Sequence, residues 1–165
     1  EGLANVIGLI PHSLVTNRLK MKVSCRNGVY VDEEGDELLK IAVVERHHQT
    51  GHIGMGLVKG MGLKKGAIAS TVAHDSHNIV VIGDNDADML SAVNHLQGIG
   101  GGICIASQGN VVHSLALPIG GLMSDLGLEE VHCKLKEMLE TAYSMGVSKN
   151  YEPFMTLAFL ALPVI

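Results

Sequence analysis

Short apolar runs along the chain predict a series of β-strands. The runs at 4–10 and 19–23 are brief, whereas KIAVVERH at 40–47 has a continuous apolar centre. A continuous apolar centre is typical of a strand buried on both faces. AIASTVA (67–73) and NIVVIG (78–83) enclose the polar stretch HDSH, the pattern of two strands joined by a turn.

Later segments predict a hairpin and a closing strand. ICIAS and VVHSLALP flank Gln108-Gly109-Asn110, a hairpin signal. The apolar run from Phe154 to Leu162 is too short to span a membrane and predicts a buried strand. Between 48 and 67 the glycines favour tight turns over a regular helix, and GMGLVKG fits neither common phosphate-loop spacing.

Helical spacing occurs in two segments. At 86–97, Met89, Leu90, Val93 and Leu96 fall on one face, and Asp84 or Asn85 can cap the helix. A second helix is predicted at 128–145. Its apolar stripe, interpreted as core packing, comprises Leu128, Val131, Leu135, Met138, Leu139, Ala142 and Met145.

The element order predicts an α+β fold. Strands, a helix, a hairpin, a helix and a strand follow one another in 165 residues, a length that fits a single domain. We therefore expect one or more mixed β-sheets with two main helices.

Composition excludes several classes of function. The charge is −5, and only Lys59, Lys64 and Lys65 concentrate positive charge, which argues against nucleic acid. Three cysteines at wide spacing argue against a disulfide framework and favour the cytoplasm. No apolar run is long enough to span a membrane.

One polar turn is the leading candidate site. His74, Asp75, Ser76, His77 and Asn78 sit between two apolar runs, and we expect them to line a pocket. The alternative is a structural turn in which the short polar side chains bond backbone groups.

A second polar cluster ends the strand at 40–47. Arg46, His47 and His48 stand where strand-end loops commonly contact ligands. His47 and His48 would face opposite sides if the strand continued. Whether this cluster converges with the turn at 74–78 is not determined by the sequence.

Metal binding is a further alternative for the turn. His74, Asp75 and His77 could supply imidazole and carboxylate ligands, although the spacing H-E-x-x-H is absent. Asp84, Asp86 and Asp88 resemble a calcium loop but lack its glycine and distal glutamate, so helix capping explains them better.

Two long and unusual stretches carry a family resemblance. One reads KIAVVERHHQTGHIGMGLVKGMGLKKGAIASTVAHDSHNIVVIGDNDADMLSAVNHLQGIGGG, and the other reads LALPIGGLMSD. Both resemble the C-terminal domain of bacterial adenine deaminases, strongly over residues 38–126 and more weakly in the flanks.

The resemblance implies that residues 1–165 are the C-terminal domain of a longer enzyme of the amidohydrolase superfamily. It implies hydrolysis of adenine to hypoxanthine and ammonia, a step of purine salvage. It also implies a divalent metal (manganese, iron or zinc) in an N-terminal barrel, a homo-oligomer and a cytoplasmic location. The barrel's His-x-His motif does not occur in these residues, so no metal is expected here and the isolated domain should be inactive.

Three functions stay open from the sequence. In the first, the polar turn contacts the substrate or orients the groups around it in the barrel's active site. In the second, the domain is a structural or oligomerisation module. The third is a self-contained metal hydrolase centred on HDSH.

Overall fold

A single β-sheet forms the framework of the computed structural model, which describes residues 2–26, 29–31 and 37–162. Nine strands of this described part belong to the sheet. The strands are Gly2–Gly8 (β1), Asn17–Arg26 (β2), Val29–Val31 (β3), Leu38–Val44 (β4), Ile53–Lys59 (β5), Ala67–Ser70 (β6), Ile79–Gly83 (β7), Gly102–Ser107 (β8) and Asn110–Ala116 (β9). The helices are Asp86–Gly98 (α1), Leu128–Ser144 (α2) and Pro153–Phe159 (α3).

The sheet is mixed, and its order is β3-β2-β1-β5-β4-β7-β6-β8-β9. β1 and β5 pair in parallel, whereas the other neighbours pair antiparallel. The α+β class, the mixed sheet and both main helices are therefore confirmed, and a shorter third helix joins them.

Helices cover both faces of the sheet's centre, and this explains the continuous apolar run of β7. Ile79 and Val81 pack with the apolar residues of α1. Val80 and Ile82 point the other way and pack with residues of α2 and α3. All four side chains are fully buried, and each contributes about 1.5–3 kcal/mol relative to exposure.

The first helix begins where the sequence predicted. The Asn85 side chain accepts a hydrogen bond from the Asp88 backbone N–H, which caps the helix. Met89, Ala92, Val93 and Leu96 are its buried apolar residues, whereas Leu90, predicted on the same face, is 61% exposed.

One predicted element is wrong, and one strand was not predicted. Phe154 to Leu162 do not form a strand, because α3 begins at Pro153 and the carboxylate of Glu152 accepts the backbone N–H groups of Phe154 and Met155. Proline at a first helical position is favourable, since its missing N–H would have no helical partner. The glycine-rich segment contains the strand β5, in which Gly54 and Gly56 alternate with apolar residues.

The stripe of α2 is only partly core. Met138 and Ala142 are its buried residues, whereas Leu128 is 82% exposed. No helix in the described ranges combines the length and apolar character that crossing a membrane requires.

Candidate functional site

Three loops leave the same end of the sheet, and they bring the two polar clusters together. β4 ends at Val44, which pairs with Ile79 at the start of β7. The turn at 71–78 enters β7 at this point, and the loop at 45–52 leaves β4 there. The loop at 117–127 follows β9, whose last residue Ala116 pairs with Gly102, and Thr71 donates its backbone N–H to the Gly102 carbonyl.

Arg46 connects the three loops. Its Nε donates to the His77 carbonyl oxygen at 2.7 Å, and its Nη2 donates to the Gly120 carbonyl oxygen at 2.7 Å. Its backbone N–H donates to Oδ1 of Asn78 at 3.4 Å. Hydrogen bonds from a guanidinium are stronger than neutral ones, so Arg46 holds the site together through the bonds of Nε and Nη2.

The loop at 117–127 approaches Arg46 through Gly121. Gly121 has φ of +76°, and a Cβ built there would lie 2.4 Å from Nη2 of Arg46. Its carbonyl accepts the buried Thr71 hydroxyl at 2.6 Å. Sequence reasoning missed Gly120, Gly121 and Thr71 as site residues; the adjacent glycines were the available signal.

Glu45 organises the loop that carries the second cluster, and sequence reasoning missed this residue too. Its carboxylate accepts the backbone N–H groups of His47, His48 and Thr50 at 2.5, 2.7 and 3.0 Å, and the Thr50 hydroxyl at 3.0 Å. These bonds, led by that from the Thr50 backbone, lower the pKa of Glu45 to about 2. The loop is therefore held by a carboxylate that stays ionised at neutral pH.

The histidines of the two clusters have different surroundings. His47 Nε2 lies 2.8 Å from the Ser76 carbonyl oxygen, which makes Nε2 the protonated nitrogen. His77 has φ of +51°, and its Nδ1 accepts the Ala73 backbone N–H at 3.4 Å. The ring of His74 lies 4.9 Å from that of Phe159 and 5.8 Å from that of His77.

Some candidate side chains remain available for a ligand or a partner. Asp75, Ser76 and His48 are exposed. Within residues 2–26, 29–31 and 37–162, their side chains make no hydrogen bond. The site thus combines an internally bonded framework, Arg46 and Asn78, with outward-facing polar groups. Because β4 ends at Val44, the predicted alternation of His47 and His48 along a strand does not apply.

A metal does not fit the described residues. Across the described ranges, no group of three or more His, Cys, Asp or Glu side chains could hold a metal ion, and this includes His74, Asp75 and His77. Asp84 accepts the Gly66 backbone N–H, Asp86 pairs with Lys40 at 2.6 Å, and Asp88 accepts the Gly109 backbone N–H. No chemical step is therefore assigned to a metal on these residues.

Comparison with known proteins gives a consistent result over the whole chain. The sequence model of the family described as "Adenine deaminase C-terminal domain" matches residues 13–165. Adenine deaminase 2 of Carboxydothermus hydrogenoformans is 54% identical over 162 residues, which cover 98% of this chain and 28% of the relative. Adenine deaminase of Nitratidesulfovibrio vulgaris is 54% identical over 165 residues, which cover 99% of this chain and 28% of the relative. Adenine deaminase of Clostridium acetobutylicum is 48% identical over 164 residues, which cover 99% of this chain and 29% of the relative.

Fold and site define a class of protein: an α+β domain whose loops at one end of the sheet present polar side chains outward. The family match and the relatives make the assignment specific. The chain belongs to the adenine deaminase C-terminal domain family. It spans about 28% of the length of the curated relatives it matches.

Proposed function

We propose that this chain is the C-terminal domain of an adenine deaminase, which hydrolyses adenine to hypoxanthine and ammonia. The observation that carries this proposal is the 54% identity, over nearly the whole chain, to proteins named adenine deaminase. Purine salvage, a cytoplasmic location and a homo-oligomeric state belong to the same proposal.

The metal of this reaction belongs, in our proposal, to the N-terminal barrel. Among the described residues, no group of three or more His, Cys, Asp or Glu side chains could hold a metal ion. A bound divalent metal (manganese, iron or zinc) would supply the activated water. The residues of this chain contribute binding and orientation.

The outward-facing groups of the site are proposed to line the active-site mouth of the barrel. Asp75, Ser76 and His48 have the exposure and the uncommitted polar atoms that substrate contact requires. Arg46 acts as a positioning residue, since both of its bonded guanidinium nitrogens point at backbone carbonyls. His47 and His77 stabilise the turn at 74–78 through their hydrogen bonds to the backbone of Ser76 and Ala73.

The test is ammonia release from adenine by the full parent chain, unmodified and as His77→Ala. We expect the unmodified chain to release ammonia and the variant to lose most turnover while keeping its circular dichroism and elution volume. A parent that does not deaminate adenine would contradict the substrate assignment.

A structural or oligomerisation module is the second candidate function. It is favoured by the bonds that Arg46 and Glu45 make to backbone groups, which stabilise the loops from within the domain. In that case His77→Ala leaves turnover unchanged and alters only stability or assembly.

The self-contained hydrolase is tested separately. The isolated 165-residue chain should release no ammonia from adenine and should hold no stoichiometric metal by elemental analysis.

A further inference from the structure

An apolar groove lies between α2 and α3, on the face of the sheet opposite α1. Its volume is about 670 Å³. Its apolar walls consist of Val72, Ile103, Leu135, Leu139, Phe154 and Phe159. A groove of this size and composition can receive several side chains of a partner.

The helix beside this groove is poorly buried for its length. α2 has 17 residues, of which Met138 and Ala142 are buried, whereas its groove-lining Leu135 and Leu139 are half-buried. An isolated helix of this length is marginal in water and obtains most of its stability from packing of its apolar face. On the other side of the groove, Met155 is 59% exposed. Both walls therefore present apolar surface that this chain does not cover.

The charged residues at the rim of the groove indicate what kind of segment can bind there. Both carboxylate oxygens of Glu152 accept backbone N–H groups at the start of α3. Lys136 and His132 are exposed at the rim, and among the described residues Lys136 has no ion pair. An apolar segment that carries a carboxylate complements this arrangement.

The groove is continuous with the candidate site through His74. The His74 side chain lines the groove, and its backbone N–H donates to the Ala158 carbonyl of α3 at 3.0 Å. A segment seated in the groove would therefore lie directly against the turn at 74–78.

We propose that the groove between α2 and α3 is the docking site for an apolar, carboxylate-bearing segment of the chain that precedes this domain in the full-length enzyme. More than two thirds of the length of the matched relatives lies outside the region this chain covers, so a covalently attached partner of sufficient size exists in those proteins. The inference rests on the proposed function, which makes this chain the C-terminal domain of such an enzyme. Docking at the groove also gives the turn at 74–78 a fixed place beside the rest of the enzyme.

Site-specific photo-crosslinking in the full-length chain tests this docking. We would incorporate p-benzoylphenylalanine in place of Met155, irradiate, and map the crosslinked peptides by mass spectrometry. The matched control places it at Met55, which is 71% exposed. Met55 is paired with Ala42, whose side chain packs on the α1 face, so the two probes lie on opposite faces of the sheet.

The expected result is an intramolecular crosslink from position 155 to a peptide that precedes this domain, at a yield several-fold above that from position 55. Lys136→Glu should lower that yield several-fold, whereas Lys149→Glu, at another exposed position, should not. Crosslinks confined to this domain, crosslinks to a second copy, or a yield that is higher from position 55 would each overturn the proposal.

Measuring adenine deamination by the same preparations distinguishes failure of the docking proposal from failure of the proposed function. Normal ammonia release without the expected crosslink overturns the docking site alone. Absence of ammonia release from the unmodified full chain overturns the proposed function.

Discussion

The two long helices of this domain differ in how completely the domain buries them. α1 has 13 residues, and Met89, Ala92, Val93 and Leu96 are buried against the sheet beneath an Asn85 cap. α2 is longer, yet Met138 and Ala142 are its buried residues, and its N-cap Gly127 makes no side-chain capping bond. The two apolar stripes resemble each other in sequence but not in burial.

We call the buried side of α1 the closed face and the partly exposed side of α2 the open face. α1 packs on strands of the sheet through Met89, Ala92, Val93 and Leu96, although Leu90 of the same helix is 61% exposed. α2 borders the groove that leads to His74, so the open face and the candidate site adjoin. Exposed apolar surface next to a polar site is typical of an interaction surface.

The largest expected effect comes from truncating a buried leucine of the closed face. Leu96 is fully buried, so Leu96→Ala should lower the free energy of unfolding by about 2–5 kcal/mol through lost burial and a cavity. Leu128→Ala in α2 should change it by less than about 0.5 kcal/mol. Urea denaturation of the 165-residue chain measures the free energy of unfolding of both variants. Equal losses of stability would contradict the difference in burial between the two helices.

A smaller effect is expected from the cap of α1. Asn85→Ala removes the bond to the Asp88 N–H and should cost about 1 kcal/mol. Asn94→Ala, an exposed position on the same helix, is the matched control and should stay within about 0.5 kcal/mol. Equal unfolding midpoints for the two variants would mean that the cap contributes nothing.

The smallest expected effect is a gain in stability from a substitution at the start of α2. Gly127 has φ of −66° and ψ of 154°, and a Cβ there meets no atom within 4 Å. Gly127→Ser should therefore supply the missing cap and raise the free energy of unfolding by about 0.3 kcal/mol. A loss of stability in urea denaturation would show that this helix start is constrained by something other than its cap.

Local signals in the sequence predicted much of the fold. Asn85 and the spacing after it located α1, and Gln108-Gly109-Asn110 located the hairpin of β8 and β9. The closing helix was missed because a nearly continuous apolar run has no periodicity to distinguish helix from strand; Pro153 was the overlooked signal. The strand β5 was missed because its glycines weaken the local strand signal, and its stability comes from pairing with the neighbouring β4 and with β1, which is distant in sequence.

The candidate site could be predicted only in part. Its polar residues were visible as two dense clusters, but their convergence depends on Arg46 reaching His77, 31 residues away, and Gly120, 74 residues away. Such contacts are set by the order of strands in the sheet, which local patterns do not encode. The exposed half of the α2 stripe was misinterpreted as core for a related reason: helical spacing shows that a face is apolar, not what covers it.

The most direct test of the account is the kcat/KM for adenine of the full parent chain carrying Asp75→Asn, compared with Asp86→Asn. Asp75 is exposed on the open side and makes no hydrogen bond within the described residues, whereas Asp86 lies in the first turn of α1, beyond the Asn85 cap, and pairs with Lys40 at 2.6 Å. We predict a loss of about tenfold or more for Asp75→Asn, equivalent to about 1.4 kcal/mol of transition-state stabilisation, and no change for Asp86→Asn. Equal kcat/KM values for both variants and the unmodified enzyme would contradict a role for the turn at 74–78 in the reaction.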